Sequence, residues 1–198
     1  MQELVDKSKE VLSPLIQAIN RHDKLNKLSY GIGGSSVVSA IQTGEVKDAT
    51  FDIYLSNLET YNYFYDILSN IGYIQYEKND WFINFRSYNN YINVYYMRSF
   101  TPLEYIHNAD VTISSVIIDN NLTFYCRPEF FKDLKSETIN IVNLNEPDPN
   151  IERRLETLKK KGFKLNKKSE KIFNTFTRGL SYKNLLIPIK DEAVLIFN

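Results

Sequence analysis

The sequence has almost none of the residues that build metal clusters and covalent staples. Cys126 is its only cysteine, which excludes an intramolecular disulfide and a cysteine-rich zinc site and fits a reducing compartment best. Histidine is nearly as scarce. His22 and His107 lie far apart, with no Cys or second His at ligand spacing, so both read as structural or solvent-exposed. Charge of neither sign is in excess, with Lys+Arg and Asp+Glu both at 24; no net field drives the chain onto a polyanion, and any such binding has to come from local charge segregation. No run approaches the roughly 18 apolar residues of a membrane span. The opening MQELVDKSKEVLSPLIQAI has neither the basic start nor the apolar run of a signal peptide. These absences predict a cytoplasmic protein with no membrane partner.

What is present suits one principal domain. Of 198 residues, 43% are hydrophobic and 24% charged, an ordinary balance for a folded chain. Leu4, Val5, Val11, Leu12, Leu15, Ile16 and Ile19 fall on one helical face, with a kink or fresh N-cap expected at Ser13-Pro14. LSYGIGG reads as a strand ending in glycines, followed by a helix from Ser35 to about Thr43 and by the strand TFDIYLS. Leu58, Tyr61, Phe64, Leu68 and Ile71 recur at helical spacing up to Gly72, a good stop, which suggests a strand-helix-strand crossover. Two or three strands follow in YIQYEKNDWFINFRSYNNYINVYYM, turning at 78–80 and 88–90, with Trp81 read as core.

TPLE at 101–104 has the Thr, Pro and Glu of a capping box and predicts a short helix ending near His107. DVTISSVIIDNNLTFYC alternates like a hairpin turning at 119–121, RPEFFKDL is a short helix or turn, and DPNIERRLETLKKKGF is a helix striped by Ile151, Leu155 and Leu158 that Gly162 ends. There is no internal repeat and no low-complexity linker. The fold class expected is α+β, a mixed sheet flanked by helices.

Gly33-Gly34-Ser35-Ser36, followed by the strand Asp52-Ile53-Tyr54-Leu55, resembles the nucleotidyltransferase fold of DNA polymerase beta and of the tRNA nucleotidyltransferase/poly(A) polymerase head domain. Three later stretches match the head-domain pattern in order. ADVTISSVIID (109–119) is similar to its Asp-Phe-Thr-Ile-Asn hairpin, FKDLKSETINIV (131–142) to its Asp-Leu segment, and DPNIERRLETLKKKGFKL (148–165) to its Arg-bearing helix ending in Gly-Phe. The resemblance implies transfer of a nucleoside monophosphate from an NTP to a hydroxyl, an RNA 3′ end for instance, with two Mg²⁺ held by an Asp-x-Asp pair. Carried over by position, Asp52 is a catalytic and metal-binding acid. Gly33, Gly34, Ser35 and Ser36 approach the triphosphate, Asp110 contacts the ribose, and Arg153 and Arg154 face a nucleobase. The match places a nucleotidyltransferase-like domain at residues 1–165, with a packing helix over 1–27, and a C-terminal extension at 166–198.

The same stretch departs from the pattern it resembles. If Asp52 is the second acid, the first is Thr50; if it is the first, the second is Tyr54; if Asp48 is the first, Thr50 again replaces its partner. No register yields Asp-x-Asp, and a neutral hydroxyl is a poor substitute for an anion in holding Mg²⁺. YINVYYM supplies no third acid, Asn108 and Ala109 replace the usual arginines before Asp110, and Glu146 and Asp148 only approximate an acidic pair. Two readings therefore stand: a weak nucleotidyltransferase, or a degenerate one serving as a binding or structural module, for instance in a phage particle. Plain structural roles also fit: an N-cap for the serines, a solvent-face acid for Asp52, a turn residue for Asp110, an ordinary loop acid for Asp48.

Two candidate partner surfaces complete the reading. The segment Arg153–Lys171 holds nine Lys/Arg against Glu156 and Glu170 and is the candidate RNA contact, although such a run is usually a solvated face. The apolar LLIPI and AVLIF of the C-terminal segment are expected to cover a sheet edge or to bind a protein partner.

Overall fold

The computed structural model describes residues 1–25, 28–46, 50–55, 58–78, 82–88, 90–96, 101–144, 151–178, 186 and 194–198. Asp48, Trp81, Glu146, Asp148 and, apart from Leu186, the LLIPI run lie outside the described residues.

Helix α1 (Gln2–His22) buries Val5, Leu12, Ile16 and Ile19. It is continuous through Ser13-Pro14, so no fresh N-cap forms there, and Pro14 sits on the exposed face. Proline has no N–H for the Glu10 carbonyl one turn back, and the Ser13 hydroxyl donates to that carbonyl instead, at 3.3 Å. After β1 (Tyr30–Gly33), α2 (Ser35–Thr43) stops at Gly44, whose φ of 80° is left-handed. β2 (Thr50–Leu55) leads into α3 (Leu58–Asn70), which ends where the Tyr73 N–H donates back to the Leu68 carbonyl across Gly72.

β3 (Ile74–Lys78), β4 (Phe82–Ser87) and β5 (Asn90–Tyr96) follow, then α4 (Pro102–Asn108), where the Thr101–Glu104 capping box is formed. β6 (Val116–Asp119), β7 (Phe124–Cys126), α5 (Phe130–Lys135), β8 (Thr138–Ile139), α6 (Ile151–Lys160), β9 (Lys164–Leu165), α7 (Lys167–Thr177) and β10 (Leu195–Phe197) complete the chain.

Eight strands form one mixed sheet in the order β10-β7-β6-β1-β2-β5-β4-β3. Among the described residues of this sheet only β2 and β5 pair in parallel, and β8 and β9 form a separate parallel pair. The crossover from β2 through α3 thus reaches the far edge at β3 and returns by two hairpins to lie beside β2. The hairpin read over 110–126 is shorter than expected. Residues Thr112–Ser114 form a 3₁₀ turn, and the ladder proper begins at Val116. The Ser115 hydroxyl bonds the Val111 carbonyl (2.9 Å), and the Thr112 hydroxyl bonds the buried Asp133 carboxylate (2.5 Å), so local side-chain bonds replace the ladder there.

Strand alternation sorts the sheet into two unlike faces. Ile32, Ile53, Leu55, Ile83, Phe85, Ile92, Val94, Ile118 and Phe124 point inward to the main core, shared with α1, α2 and α3. Cys126 also points inward, and burial pushes its thiol up to about 12, so it is an inert packing residue. Gly31, Gly33, Asp52, Tyr54, Asn93 and Ile117 occupy the alternate positions, on the other face. That face is partly covered by α4, whose Tyr105 and Ile106 pack with Ile117 and against Tyr54 and Tyr125. Asp52 therefore does not lie among Phe51, Ile53 and Leu55 in space, although it lies among them in sequence.

The last segment joins the same body. β10 pairs with β7 and Phe197 packs on Phe124 and Phe131, so this part of AVLIF covers an edge of the sheet. Asn166 caps α7 by accepting from Ser169 N–H (2.7 Å), its amide bonds Asn140, and Asn140 bonds Asp133 (2.6 Å). Among the described residues no helix is long and apolar enough to cross a membrane.

Candidate nucleotide cleft

The Gly33-Gly34 turn and Asp52 meet because β1 and β2 are antiparallel neighbours with Gly33 opposite Asp52. Gly34 has φ 61° and ψ −128°, a conformation open to glycine and strained for any other residue. It delivers the chain into α2 so that Ser35 sits over β2. The Ser35 hydroxyl donates to Asp52 Oδ2 across a long 3.5 Å, and Asn93 Nδ2, from the neighbouring β5, donates to Oδ1 at 2.9 Å. Ser36 is committed elsewhere. It is buried, and its hydroxyl accepts from Asp52 N–H and donates to the Thr50 carbonyl, both at 3.1 Å, tying α2 to β2 rather than facing a ligand.

Burial holds the Asp52 carboxyl above its ordinary range, against the opposing pull of Asn93, Ser35 and the Lys161 ammonium. Asp110 follows α4, with Arg154 Nε 3.1 Å from its Oδ2. That contact is an ion pair without hydrogen-bond geometry, and Oδ2 accepts no hydrogen bond among the described residues. Here too burial raises the carboxyl, while Arg154 and the N–H groups of Asp110 and Val111 oppose it.

Three tyrosines join the two acids. Tyr54 stacks on Tyr95 (ring centroids 5.2 Å, 18° between planes) and leans on Tyr105 (4.6 Å). Burial and the Asp52 charge push the Tyr95 phenol up to about 12, with Arg153 and Arg154 opposing. Tyr105 is raised by burial as well, and it feels Asp52, Asp110 and Arg154 at once. Asp52, Asp110, Arg153 and Arg154 thus act electrostatically on one group of tyrosines, and Lys161 acts on Asp52, which marks the candidate cleft. Ser35 bonds the Asp52 carboxylate, whereas Ser36 bonds only the β2 backbone.

Tyr105 also explains the glycines in a second way. A Cβ on Gly33 would stand 2.9 Å from Tyr105 Cζ, and one on Gly34 3.2 Å from its hydroxyl, so the ring lies against the turn itself. Sequence reasoning does not single out Asn93, Tyr95, Tyr105 or Lys161, and it marks Tyr54 only as a neutral residue where a second acid is expected. Asn93 was legible only as an absent acid, and the tyrosines as ordinary strand or helix residues.

Among the described residues, which do not include Asp48, the donor set does not fit the two Mg²⁺ ions that the resemblance implies. Thr50 and Tyr54 share the face of Asp52 without adding a carboxylate, and both Asp52 oxygens already accept from N–H or O–H donors. Among the described residues no three His, Cys, Asp or Glu side chains cluster to hold a metal.

No protein-family model and no curated protein sequence matches this chain. Solved structures do. An apo form of a CCA-adding enzyme superposes with TM-score 0.69 at 14% identity, over 90% of this chain and 45% of that one. The Thermotoga maritima CCA-adding enzyme complexed with tRNA follows at 0.64 and 15%, over 93% and 48%. A tRNA nucleotidyltransferase complexed with a primer tRNA and an incoming ATP analogue gives 0.62 and 17%, over 81% and 50%. At these identities the likeness establishes the fold, which is nucleotidyltransferase-like; the chain spans about half the length of the enzymes it resembles.

Proposed function

We propose that the cleft binds a nucleoside triphosphate and that the chain is a degenerate nucleotidyltransferase, a nucleotide-binding module in which transfer of the nucleoside monophosphate to a hydroxyl such as an RNA 3′ end is feeble at most. The observation that carries this is the environment of Asp52, a single carboxylate held by an amide and a hydroxyl where two-metal transfer needs a second anion. Ser35 and the Gly34 turn would receive phosphate, Arg153 and Arg154 would supply positive charge, and Asp110, held by Arg154, would orient a ribose. The structural neighbours that hold tRNA and an ATP analogue support the ligand class.

The test has two parts. Thermal shift with ATP, CTP, GTP and UTP, each with Mg²⁺ and with EDTA, should show stabilisation that survives EDTA. Saturation to 100-fold over Kd corresponds to about 2.7 kcal/mol. Pyrophosphate release with a mixed RNA acceptor pool should be near background for wild type and rise in Thr50→Asp, which rebuilds Asp-x-Asp on one strand face. No shift with any NTP would remove the nucleotide-binding reading. Robust wild-type turnover unchanged by Thr50→Asp would mean that Asp48 or Asp110 completes a metal site, and the degenerate reading would fall.

A further inference from the structure

On the outer face of the sheet β1 carries no side chains, because its positions there are Gly31 and Gly33. Both gaps are filled from elsewhere. A Cβ on Gly31 would stand 2.7 Å from Ile117 Cδ1, and the space over Gly33 and Gly34 is taken by the hydroxyl end of Tyr105. Ile117 comes from the neighbouring strand β6 and packs within the sheet. Tyr105 comes from α4 and lies on the turn through which Gly34 leads into Ser35 and the start of α2.

Three contacts hold the Tyr105 ring there. Its hydroxyl donates to the Ser114 carbonyl at 3.3 Å, it hydrogen-bonds the Tyr54 hydroxyl, and the ring leans on Tyr54 at 4.6 Å between centroids. Tyr54 stands two residues beyond Asp52 on the same strand face. One hydrogen-bonded aromatic pair thus takes both the position of a second carboxylate and the surface of the glycine turn. The pair packs with Ile106 and Ile117 in a small cluster apart from the main core, so it can yield without opening that core.

We propose that Tyr105 is a plug on the phosphate seat: in the free protein it closes the Gly33-Gly34 turn, and a triphosphate reaches the turn only when the ring and α4 swing away. This rests on the nucleotide reading above and adds how entry is controlled. Glycines serve a phosphate by leaving the space over their Cα atoms open to it; here that space is filled, so ring and phosphate exclude each other. A stacking surface for the base is a poorer role for this ring, which is only 9% exposed. Displacement also reaches further, because α4 runs directly into Asp110, whose carboxylate pairs with Arg154. Moving the helix to admit phosphate moves that acid as well.

The test measures binding of ATP, CTP, GTP, UTP and inorganic tripolyphosphate to the full chain by isothermal titration calorimetry in EDTA. A competent form populated at about 10% or less lowers apparent affinity by that fraction. Tyr105→Leu and Tyr105→Ala should therefore bind each triphosphate at least about ten-fold more tightly than wild type, while Tyr105→Phe, which keeps the ring over the turn, should stay close to it. Tyr105→Leu keeps an apolar contact in the cluster and serves if the alanine variant melts too low. Wild type gives a readout free of any substitution: hydrogen exchange over residues 102–110 should quicken when ATP is bound. Equal or weaker binding by the leucine variant, or unchanged or slower exchange over 102–110 in nucleotide-bound wild type, would overturn the plug and leave the nucleotide reading standing. Silence of wild type and leucine variant alike toward every NTP and tripolyphosphate would remove both.

Discussion

Gly33→Ala is a small perturbation that separates two explanations of the glycine turn. Gly33 lies in a strand with no left-handed φ, so alanine introduces no backbone strain there; the cost is all contact. The new methyl would sit 2.9 Å from Tyr105 Cζ, 3.0 Å from its hydroxyl and 3.2 Å from Cε1, against an ordinary carbon contact of about 3.5–4.0 Å. The ring would have to retreat by about 0.5–1 Å, and it has little room. It is 9% exposed, leans on Tyr54 at 4.6 Å and donates to the Ser114 carbonyl at 3.3 Å. Overpacking of this kind costs about 1–3 kcal/mol, which for a chain of this size is a fall of roughly 2–4 °C in Tm per kcal/mol. In a Tyr105→Leu background the obstruction is gone, and Gly33→Ala should then cost less than about 0.5 kcal/mol. The assay is a double-mutant cycle by urea unfolding, with NTP thermal shift run on the same four proteins. Equal destabilisation in both backgrounds would refute the contact argument. Restored stability with a lost NTP response would show that the glycine also serves phosphate.

Two further outcomes are expected. Burial raises the Asp52 carboxyl above the ordinary 3.8, so the folded state favours the protonated form; the stability this gives is full below 3.8 and is lost as pH rises through the raised value. Asp52→Asn should therefore raise Tm at neutral pH, with the gain closing as pH falls into that window, as followed by thermal melts across the acid range. Pro14→Ala restores an N–H for the Glu10 carbonyl on the exposed side of α1 and should stabilise by about 1–2 kcal/mol, since proline in a helix interior costs up to about 3 and its unfolded-state rigidity returns part of that; a lower urea midpoint would show that the Ser13 bond already repairs the helix.

The fold was readable from sequence where one local rule acted alone. Gly44, Gly72 and Gly162 all have positive φ at helix ends, and the Thr101–Glu104 box caps α4; these signals need only a few residues of context. The fresh N-cap expected at Ser13-Pro14 does not form, because the effect of Pro14 depends on which face it occupies and on the hydroxyl beside it, both properties of the assembled helix. The 3₁₀ turn at 112–114 was hidden for a similar reason. Val111, Ile113 and Ser115 have strand-like spacing, but the Thr112 and Ser115 hydroxyls bond Asp133 and Val111, partners that no period of hydrophobicity reveals. α7 went unread because its buried stripe is thin, with Ser169 and Ile172 the only fully buried positions.

The cleft was harder to read because its chemistry lies in pairings across strands. Asp52 and Asn93 are 41 residues apart and adjacent only through the parallel β2–β5 register. That register gives the missing carboxylate a physical meaning. Acids two residues apart on one strand face stand about 7 Å from each other, and in a part-buried cleft their mutual repulsion adds to the desolvation that already raises Asp52. Such a pair is tolerable when cations lie between the acids. With Thr50 and Tyr54 neutral, Asp52 meets no like charge on its own strand; Asn93 donates to it, and Lys161 adds attraction from beyond the end of α6. The carboxylate is thus held by the protein's own donors, so this cleft can keep its acid and its fold without a metal. On the proposed reading, a nucleotide there would meet the positive charge of Arg153, Arg154 and Lys161 alongside the two acids.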